Sequence, residues 1–470
     1  MPDISSRWLL RRPQGGSGMA MTIGAGRTLK ELPPLSQQQL AFSERAQRII
    51  PGGAHTCSKG DDQLPVNAPR AFVRGKGARV WDVDGREYVD WGMGMQSVLL
   101  GHAEETVDDA AVAALRNGQN FSRPSLLELE TAEAVLELYP HMEMVKFNKN
   151  GSDANSAAIR LARAVTGRTL IAYDQCAPFL SGQDWFIGTT ALDAGVPEEI
   201  RRLSVPFRYN DVESLERVFG EHPQQLAALI MEVTRDVKPL PGFLETVRRL
   251  CDEQGTLLIL DEVLSGFRYG LHGAQALFGI TPDLMTLGKG LANGYALAAL
   301  LGKRVYMERG GLTHPQERLF LLSSTNGAEQ SGLAAGRSTI RLFRRHPVIE
   351  HLAAVGQQLA DGINQIATRH GIQHALFLRS DFACRPMLHT LDAEGRPSLA
   401  FRTLFLQETL RYGVFMPWIC PSFRHGELEL AQTFEAVDAA AAVYAKALEQ
   451  RSVAGLLVGR AVKPVFRRYN

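Results

Sequence analysis

The chain has few cysteines, almost no net charge and no long apolar run, and each shortage excludes a class of protein. Its 470 residues include five cysteines, at positions 57, 176, 251, 384 and 420. An odd, dispersed set without metal-ligand spacing indicates reduced thiols in a cytoplasmic protein and predicts no metal site. Because 51 basic and 50 acidic residues leave a formal net charge of +1, we expect neither a nucleic-acid nor a membrane-surface partner.

The chain also has no apolar run that approaches the roughly 18 residues needed to cross a bilayer. The sequence therefore predicts no membrane span. The segment Trp8-Leu9-Leu10 is too short for the core of a signal peptide. We interpret residues 1–36 as a flexible leader, with an organelle-targeting role as the weaker alternative.

What the chain does contain is an alternation of helical and apolar segments. Residues 37–50 have an amphipathic, helix-like pattern, and Asp84-Gly85 between two β-rich runs predicts a hairpin. Between about 104 and 330, helical periodicity alternates with short apolar strands, which is typical of a mainly parallel sheet covered by helices. We therefore predict an α/β fold with a segment at 37–103, a large domain at 104–338, and a smaller α+β domain with a tail at 339–470.

Two charged residues follow apolar strands within the predicted large domain. Asp261 ends the run that begins at Leu257, and Lys289 lies between two glycines in Thr-Leu-Gly-Lys-Gly. In a parallel sheet both residues fall at the carboxyl ends of strands, where ligands bind. A lysine that forms a Schiff base and a carboxylate that keeps a pyridine nitrogen protonated suit pyridoxal phosphate (PLP). Taken alone, each residue is more often ordinary: a solvated surface lysine, or an aspartate that begins a loop.

A third group supports the same cofactor. Asn150-Gly151-Ser152 follows a predicted strand and opens a predicted helix. The free N–H groups at a helix start, together with a serine hydroxyl, form an anion site. An ordinary glycine turn with an N-cap gives the same pattern. The phosphate interpretation is favoured only in combination with Lys289 and Asp261, because PLP needs all three groups.

On these motifs the chain resembles the class III aminotransferases of PLP fold type I, and especially their glutamate-1-semialdehyde aminomutase branch. The resemblance covers about residues 37–450. The motifs that carry it are Pro51-Gly52-Gly53, Asn150-Gly151-Ser152-Asp153-Ala154, Asp261-Glu262-Val263-Leu264-Ser265-Gly266-Phe267-Arg268, Thr286-Leu287-Gly288-Lys289-Gly290, and Ser324-Thr325 before Ala334-Ala335-Gly336.

The resemblance implies a role for four residues around the cofactor ring. Lys289 would form the Schiff base and move the substrate proton, and Asp261 would pair with the pyridine nitrogen. Val263 would pack against one face of the ring. Glu232 matches a glutamate near the cofactor edge, although a simple strand-end carboxylate is an equal alternative.

The resemblance also implies how the phosphate is bound and by how many chains. Asn150, Gly151 and Ser152 would form the cofactor-binding turn, with the last two at the phosphate. Thr325 would reach the phosphate of the other subunit's cofactor, so the resemblance predicts a homodimer with its sites at the interface.

The chain departs from the family's pattern at three places. Where the family commonly has an aromatic-His-Gly triplet, we identify Phe179 as the candidate stacking ring, with a core phenylalanine as the alternative. Lys59 stands where the aminomutase has an arginine for the substrate carboxylate, and lysine cannot make a bidentate fork. Glu329-Gln330 stands where many relatives have Asn-Pro. These changes indicate a substrate other than glutamate semialdehyde.

We therefore predict a PLP-dependent aminotransferase with a small-molecule amino donor, glutamate being the first candidate, and a keto or aldehyde acceptor. A sugar-like compound or a specialised-metabolite precursor is the expected acceptor class. The alternative enzyme is an intramolecular aminomutase or an epimerase on the same scaffold. A non-catalytic binding or assembly protein with this fold would lack the lysine or the aspartate, and both are present.

Overall fold

The chain folds around a seven-stranded sheet in a computed structural model that describes residues 31–234 and 236–469. Most of the expected leader, residues 1–30, lies outside the described residues. The helices are α1 Gln37–Ile49, α2 Met93–Gln96, α3 Glu105–Arg116, α4 Leu126–Leu136, α5 Gly151–Thr166, α6 Asp184–Ile187, α7 Glu198–Arg201, α8 Val212–Glu221, α9 Phe243–Gln254, α10 Gly273–Phe278, α11 Arg304–Met307, α12 Gln330–Arg345, α13 Val348–Arg369, α14 Leu399–Arg411 and α15 Glu427–Glu449.

Within the described residues, the strands fall into three sheets. They are β1 Phe72–Lys76, β2 Arg79–Asp82, β3 Glu87–Asp90, β4 Met144–Asn148, β5 Leu170–Asp174, β6 Ser204–Phe207, β7 Leu226–Met231, β8 Leu257–Glu262, β9 Leu284–Leu287, β10 Ala298–Gly302, β11 Leu376–Arg379, β12 Met387–Thr390 and β13 Val414–Phe415. The predicted hairpin is present as the antiparallel pair β2 and β3.

The large sheet has the strand order β4-β10-β9-β8-β7-β5-β6. Strands β6, β5, β7, β8 and β9 run parallel, and β10 is antiparallel to both of its neighbours. Every residue of β7, β8 and β9 is buried, because helices cover both faces of a parallel sheet. The prediction of an α/β fold with a mainly parallel, helix-covered sheet is confirmed.

The edge strand β6 has no counterpart in the sequence prediction, and its position explains why. Its sequence, Ser-Val-Pro-Phe, contains a proline at position 206, and proline occurs in sheets almost only at an edge. The sheet order places β6 at the end, where the missing amide hydrogen costs no hydrogen bond within the sheet.

A smaller four-stranded sheet joins distant parts of the chain. Its order is β1-β2-β3-β13, and β13 pairs in parallel with β3, with Val414 opposite Val89 and Phe415 opposite Asp90. A second buried apolar cluster is built mainly from α13, α14 and α15, and it also includes Val89 and Trp91. Over the described ranges, no helix is both long and apolar enough to cross a membrane.

Candidate active site

Lys289 lies in a strained turn directly after strand β9. Its φ is +41°, a left-handed conformation that costs free energy in any residue with a side chain. The next residue, Gly290, has no room for a side chain, since an added Cβ would lie 2.5 Å from Leu99 Cδ1. Burial lowers the pKa of the Lys289 amine, while the charges of Asp261 and Glu232 oppose that shift. The neutral amine is the form that can attack a carbonyl carbon.

Asp261 lies at the carboxyl end of β8, next to the strand that leads to Lys289. Its partner across the parallel pair is Thr286. The backbone N–H of Val263 donates to Oδ1 at 2.9 Å, and Asn155 Nδ2 donates to Oδ2 at 2.7 Å. Burial raises the pKa of this carboxyl, and the two hydrogen bonds and the charge of Lys289 oppose the rise. The donors therefore favour the ionised carboxylate in a buried place.

Asn155 was missed as a site residue in the sequence analysis. It lies on α5 one turn beyond Ser152, so the two side chains share a helix face. Its Nδ2 also donates to the carbonyl of Leu180 at 2.6 Å, and its Oδ1 accepts from the hydroxyl of Thr286 at 2.7 Å. The amide is thus fixed on both sides, which orients it toward Asp261. The three-residue spacing on a predicted helix was the signal that could have identified it.

Asn150, Gly151 and Ser152, at the start of α5, form a polar cradle. Asn150 caps the helix by accepting from the backbone N–H of Asp153 at 2.9 Å. Ser152 Oγ accepts from the backbone N–H of Gly182 at 3.0 Å. An added Cβ on Gly151 would lie 2.6 Å from Val263 Cγ2. Glycine here leaves the first amide groups of the helix accessible to an anion, so the residues fit the phosphate end of PLP.

A single cavity of about 310 Å³ collects most of the predicted residues. They are Asn150, Gly151, Ser152, Phe179, Glu232, Asp261, Val263 and Lys289. Ser97, Lys149 and Tyr295, which were not predicted, line the same cavity. The hydroxyl of Tyr295 donates to Asp108 Oδ1 at 2.9 Å.

Phe179 lies on the wall of this cavity rather than in the packed core. Its side chain is 52% exposed, and its ring meets Phe186 edge-on, with centroids 5.8 Å apart. Phe179 is thus both exposed and in contact with the cavity. The alternative of a core phenylalanine does not fit this exposure.

Thr325 and Lys59 do not line the cavity of the single chain. Thr325 is exposed in the segment before α12, where its carbonyl accepts from Asn120 Nδ2 at 2.9 Å. Lys59 is exposed at the end of the short 3-10 helix Cys57–Lys59. Their roles stay predictions.

Glu329, one of the departures from the family pattern, has a structural use. It caps α12 by accepting from the backbone N–H of Gly332 at 3.0 Å, and its Oε1 lies 2.5 Å from Lys149 Nζ. Burial opposes ionisation, but hydrogen bonds from Lys149 and Ser331 prevail and lower the pKa of Glu329. Because this carboxylate already has structural partners, Glu329 indicates the substrate less strongly than the sequence suggested.

The residues directly before Ser97 form a left-handed turn. All four residues of α2, Met93 to Gln96, have φ between +40° and +68°. Such runs are rare, because each residue with a Cβ is strained. The turn is held by Arg268 Nη2, which donates to the carbonyl of Gln96 at 2.6 Å. Backbone strain of this kind concentrates at functional sites, and the local sequence gave no signal for it.

Comparison with known proteins agrees with this geometry. The family model for Aminotransferase class-III matches residues 62–376. The 3-aminobutyryl-CoA aminotransferase of Cloacimonas acidaminovorans is 33% identical over 412 residues, covering 85% of this chain and 95% of that protein. The glutamate-1-semialdehyde 2,1-aminomutase of Gemmatimonas aurantiaca is 34% identical over 424 residues, covering 84% and 94%.

A solved structure shows the same fold. The FumI protein of Sphingopyxis sp. MTA144, in its PLP internal aldimine form, has a TM-score of 0.81 at 29% identity, covering 90% of this chain and 100% of that one. The family match spans more than half of the sequence, and the relatives align along nearly their whole length. The chain therefore belongs to the class III aminotransferases, enzymes of PLP fold type I that use pyridoxal 5'-phosphate.

Proposed function

We propose that the protein transfers an amino group from a small donor, with glutamate as the first candidate, to a keto or aldehyde acceptor. The observation that supports this most is the shared cavity, in which the Lys289 amine and the Asp261 carboxylate lie beside the start of α5. When bound, PLP supplies an electron sink that stabilises negative charge on the substrate carbon.

The protein's own groups would divide the work of binding and proton transfer. Gly151 and Ser152 would bind the phosphate, while Val263 and Phe179 would enclose the ring. Asp261 would hold the pyridine nitrogen in its protonated form. The amine of Lys289, whose pKa is lowered by burial, would bind the cofactor and carry the substrate proton.

The lysine assignment has a direct chemical test. Borohydride reduction of the holoenzyme, followed by peptide mapping, is expected to find the cofactor on Lys289. Lys149 lines the same cavity and serves as the internal comparison. A label on Lys149 would contradict the assignment.

The finer substrate class rests on Lys59, which replaces a carboxylate-reading arginine. We expect an acceptor rich in hydroxyl groups or bearing a ring, because a polar site strongly rejects ligands that leave its hydrogen bonds unmade. The decisive experiment screens the pyridoxamine form of the enzyme against keto acids, keto sugars and cyclic ketones. Release of a keto product from the donor, with amination of a separate acceptor, supports transfer.

An intramolecular aminomutase is the second candidate, favoured by the aminomutase relative from Gemmatimonas aurantiaca. Efficient conversion of glutamate semialdehyde without a separate acceptor would establish it and would exclude our substrate proposal. The cofactor chemistry at Lys289 and Asp261 would be the same in either case.

We further propose that the enzyme works as a cytoplasmic homodimer. Large apolar side chains such as Leu126, Leu312 and Phe320 are 66–83% exposed on the single chain, and a subunit contact over them would remove apolar groups from water. The dispersed cysteines, all unpaired, agree with a reducing compartment. In the dimer, Thr325 would reach the phosphate bound by the other subunit.

A further inference from the structure

The C-terminal tail is bound to the N-terminal part of the chain by backbone and charge. The backbone N–H of Lys463 donates to the carbonyl of Asp62 at 3.0 Å, and Gln63 Nε2 donates to the carbonyl of Lys463 at 3.2 Å. Arg467 forms an ion pair with the Asp62 carboxylate at 2.6 Å. These contacts hold the tail at Lys463 and at Arg467, on either side of Phe466.

The same tail inserts one aromatic ring beside the active-site wall. Phe466 packs against the apolar cluster that includes the buried residues of α5, and it meets Phe186 edge-on, with centroids 6.5 Å apart. Phe186 is buried and meets Phe179 edge-on at 5.8 Å. Ring contacts therefore run from Phe466 in the tail, through Phe186, to Phe179, which lines the cavity.

The segment between these rings also contacts the cofactor cradle. The backbone N–H of Gly182 donates to Ser152 Oγ at 3.0 Å, and Ser181 Oγ donates to the carbonyl of Ser152 at 3.2 Å. The neighbouring Trp185 donates through Nε1 to Ser156 Oγ at 3.0 Å. A shift of Phe186 would thus move both the wall that carries Phe179 and the partner of the cradle serine.

We propose that the C-terminal segment 462–469 positions the active-site wall, with Phe466 as the positioning residue that acts through Phe186 on Phe179. The inference rests on the proposed function, because Phe179 matters only if the cavity holds PLP and substrate. Phe466 itself does not line the cavity, so its influence is indirect. The Arg467–Asp62 pair holds the ring in its place.

The test compares Phe466→Ala with Phe466→Tyr, which keeps the ring, and with Tyr469→Ala as a matched control. Tyr469 belongs to the same tail but is 79% exposed. We expect Phe466→Ala to keep full PLP content and to change the induced circular dichroism of the bound cofactor. KM should rise about two- to tenfold, with a smaller change in kcat, because the free energy of one edge-to-face aromatic contact corresponds to a factor of that size. The other two variants should match the wild type.

Two outcomes would overturn the proposal: wild-type dichroism and KM in folded Phe466→Ala, or the same defect in Tyr469→Ala. If Phe466→Ala does not fold, Arg467→Ala decides by the same measurements, and no change there overturns the proposal as well. The dichroism is recorded without substrate. It therefore tests the tail even if the protein transfers no amino group, which separates this inference from the proposed function.

Discussion

At the scale of single residues, burial opposes the charged form of the Lys289 amine. Burial lowers the pKa of Lys289 below the ordinary 10.5. In the cofactor-free protein the unfolded chain then binds more protons than the folded chain between the folded pKa and 10.5. The free energy of unfolding should therefore rise with pH across that interval and fall as the pH drops.

Lys289→Met, which cannot titrate, is expected to remove this part of the pH dependence. Urea denaturation of the cofactor-free wild type and variant at neutral pH and at about pH 10, near the unperturbed lysine value, measures the two slopes. Other titrating groups cancel in the difference between the proteins. Identical slopes would show that Lys289 is not electrostatically penalised in the fold.

The second residue-scale prediction concerns the support of the aspartate. Asn155→Ala removes the 2.7 Å hydrogen bond to Asp261, and a bond to a charged group contributes about 1.5–3 kcal/mol, or roughly ten- to hundredfold. We expect kcat/KM to fall by that factor, and to fall by roughly 10²–10⁴ in Asp261→Asn, which loses the charge itself. Thr286→Val, which disturbs Asn155 from its other side, should have a smaller effect. Near-normal kcat/KM in Asn155→Ala would contradict a positioning role.

At the scale of secondary-structure elements, the sequence predicts what local pattern controls. Asp261 and Lys289 could be placed at strand ends, because an apolar run followed by a motif is visible in the chain itself. The three-residue spacing on α5 could have identified Asn155 as a neighbour of Ser152, but its hydrogen bond to Asp261 could not be predicted in this way. It depends on how α5 lies against β8 and β9, which only the packed sheet determines.

Two other features escaped prediction for similar physical reasons. The left-handed turn at Met93 to Gln96 contains a single glycine, and its strain is maintained by a distant partner, Arg268. Glu329 forms an ion pair with Lys149, which is far away in sequence. The domain boundary near residue 338 stays a prediction. Strand β13 lies beyond that boundary but pairs with the N-terminal strand β3.

The close packing of α5 against the end of β8 gives an element-scale prediction. Gly151→Ala would place a Cβ 2.6 Å from Val263 Cγ2, so the helix start must move away from the strand. Because overpacking of this kind typically costs about 1–3 kcal/mol, the affinity for PLP should fall by about tenfold or more. Val263→Ala in the same chain removes the clash and should restore part of the affinity. Gly220→Ala, on α8 with open space around it, is the control. PLP titration of the cofactor-free proteins measures all four, and equal affinity in Gly151→Ala and wild type would rule out the close contact.

At the scale of the whole molecule, the proposed dimer can be tested by mixing two inactive chains. Lys289→Ala lacks the cofactor lysine, and Thr325→Ala lacks the hydroxyl proposed to serve the partner's phosphate. In a mixed dimer, one site combines both defects, whereas the other has an intact Lys289 and receives an intact Thr325 from the partner. Statistical reassembly of equal amounts makes about half of the dimers mixed, so about one quarter of wild-type activity should return.

The recovery depends on which chain supplies the hydroxyl, and this makes the experiment decisive. If Thr325 serves the site of its own chain, every site in every dimer carries a defect, and mixing gives only the average of the two parent activities. Thr325→Ser, which keeps a hydroxyl capable of a charge-assisted hydrogen bond, should be active without mixing and controls for damage to the loop. Sedimentation analysis of the same samples reports whether dimers form at all. A monomer with full activity would contradict the dimer proposal. The proposed phosphate contact of Thr325, which is exposed outside the cavity of its own chain, would then have no role in activity.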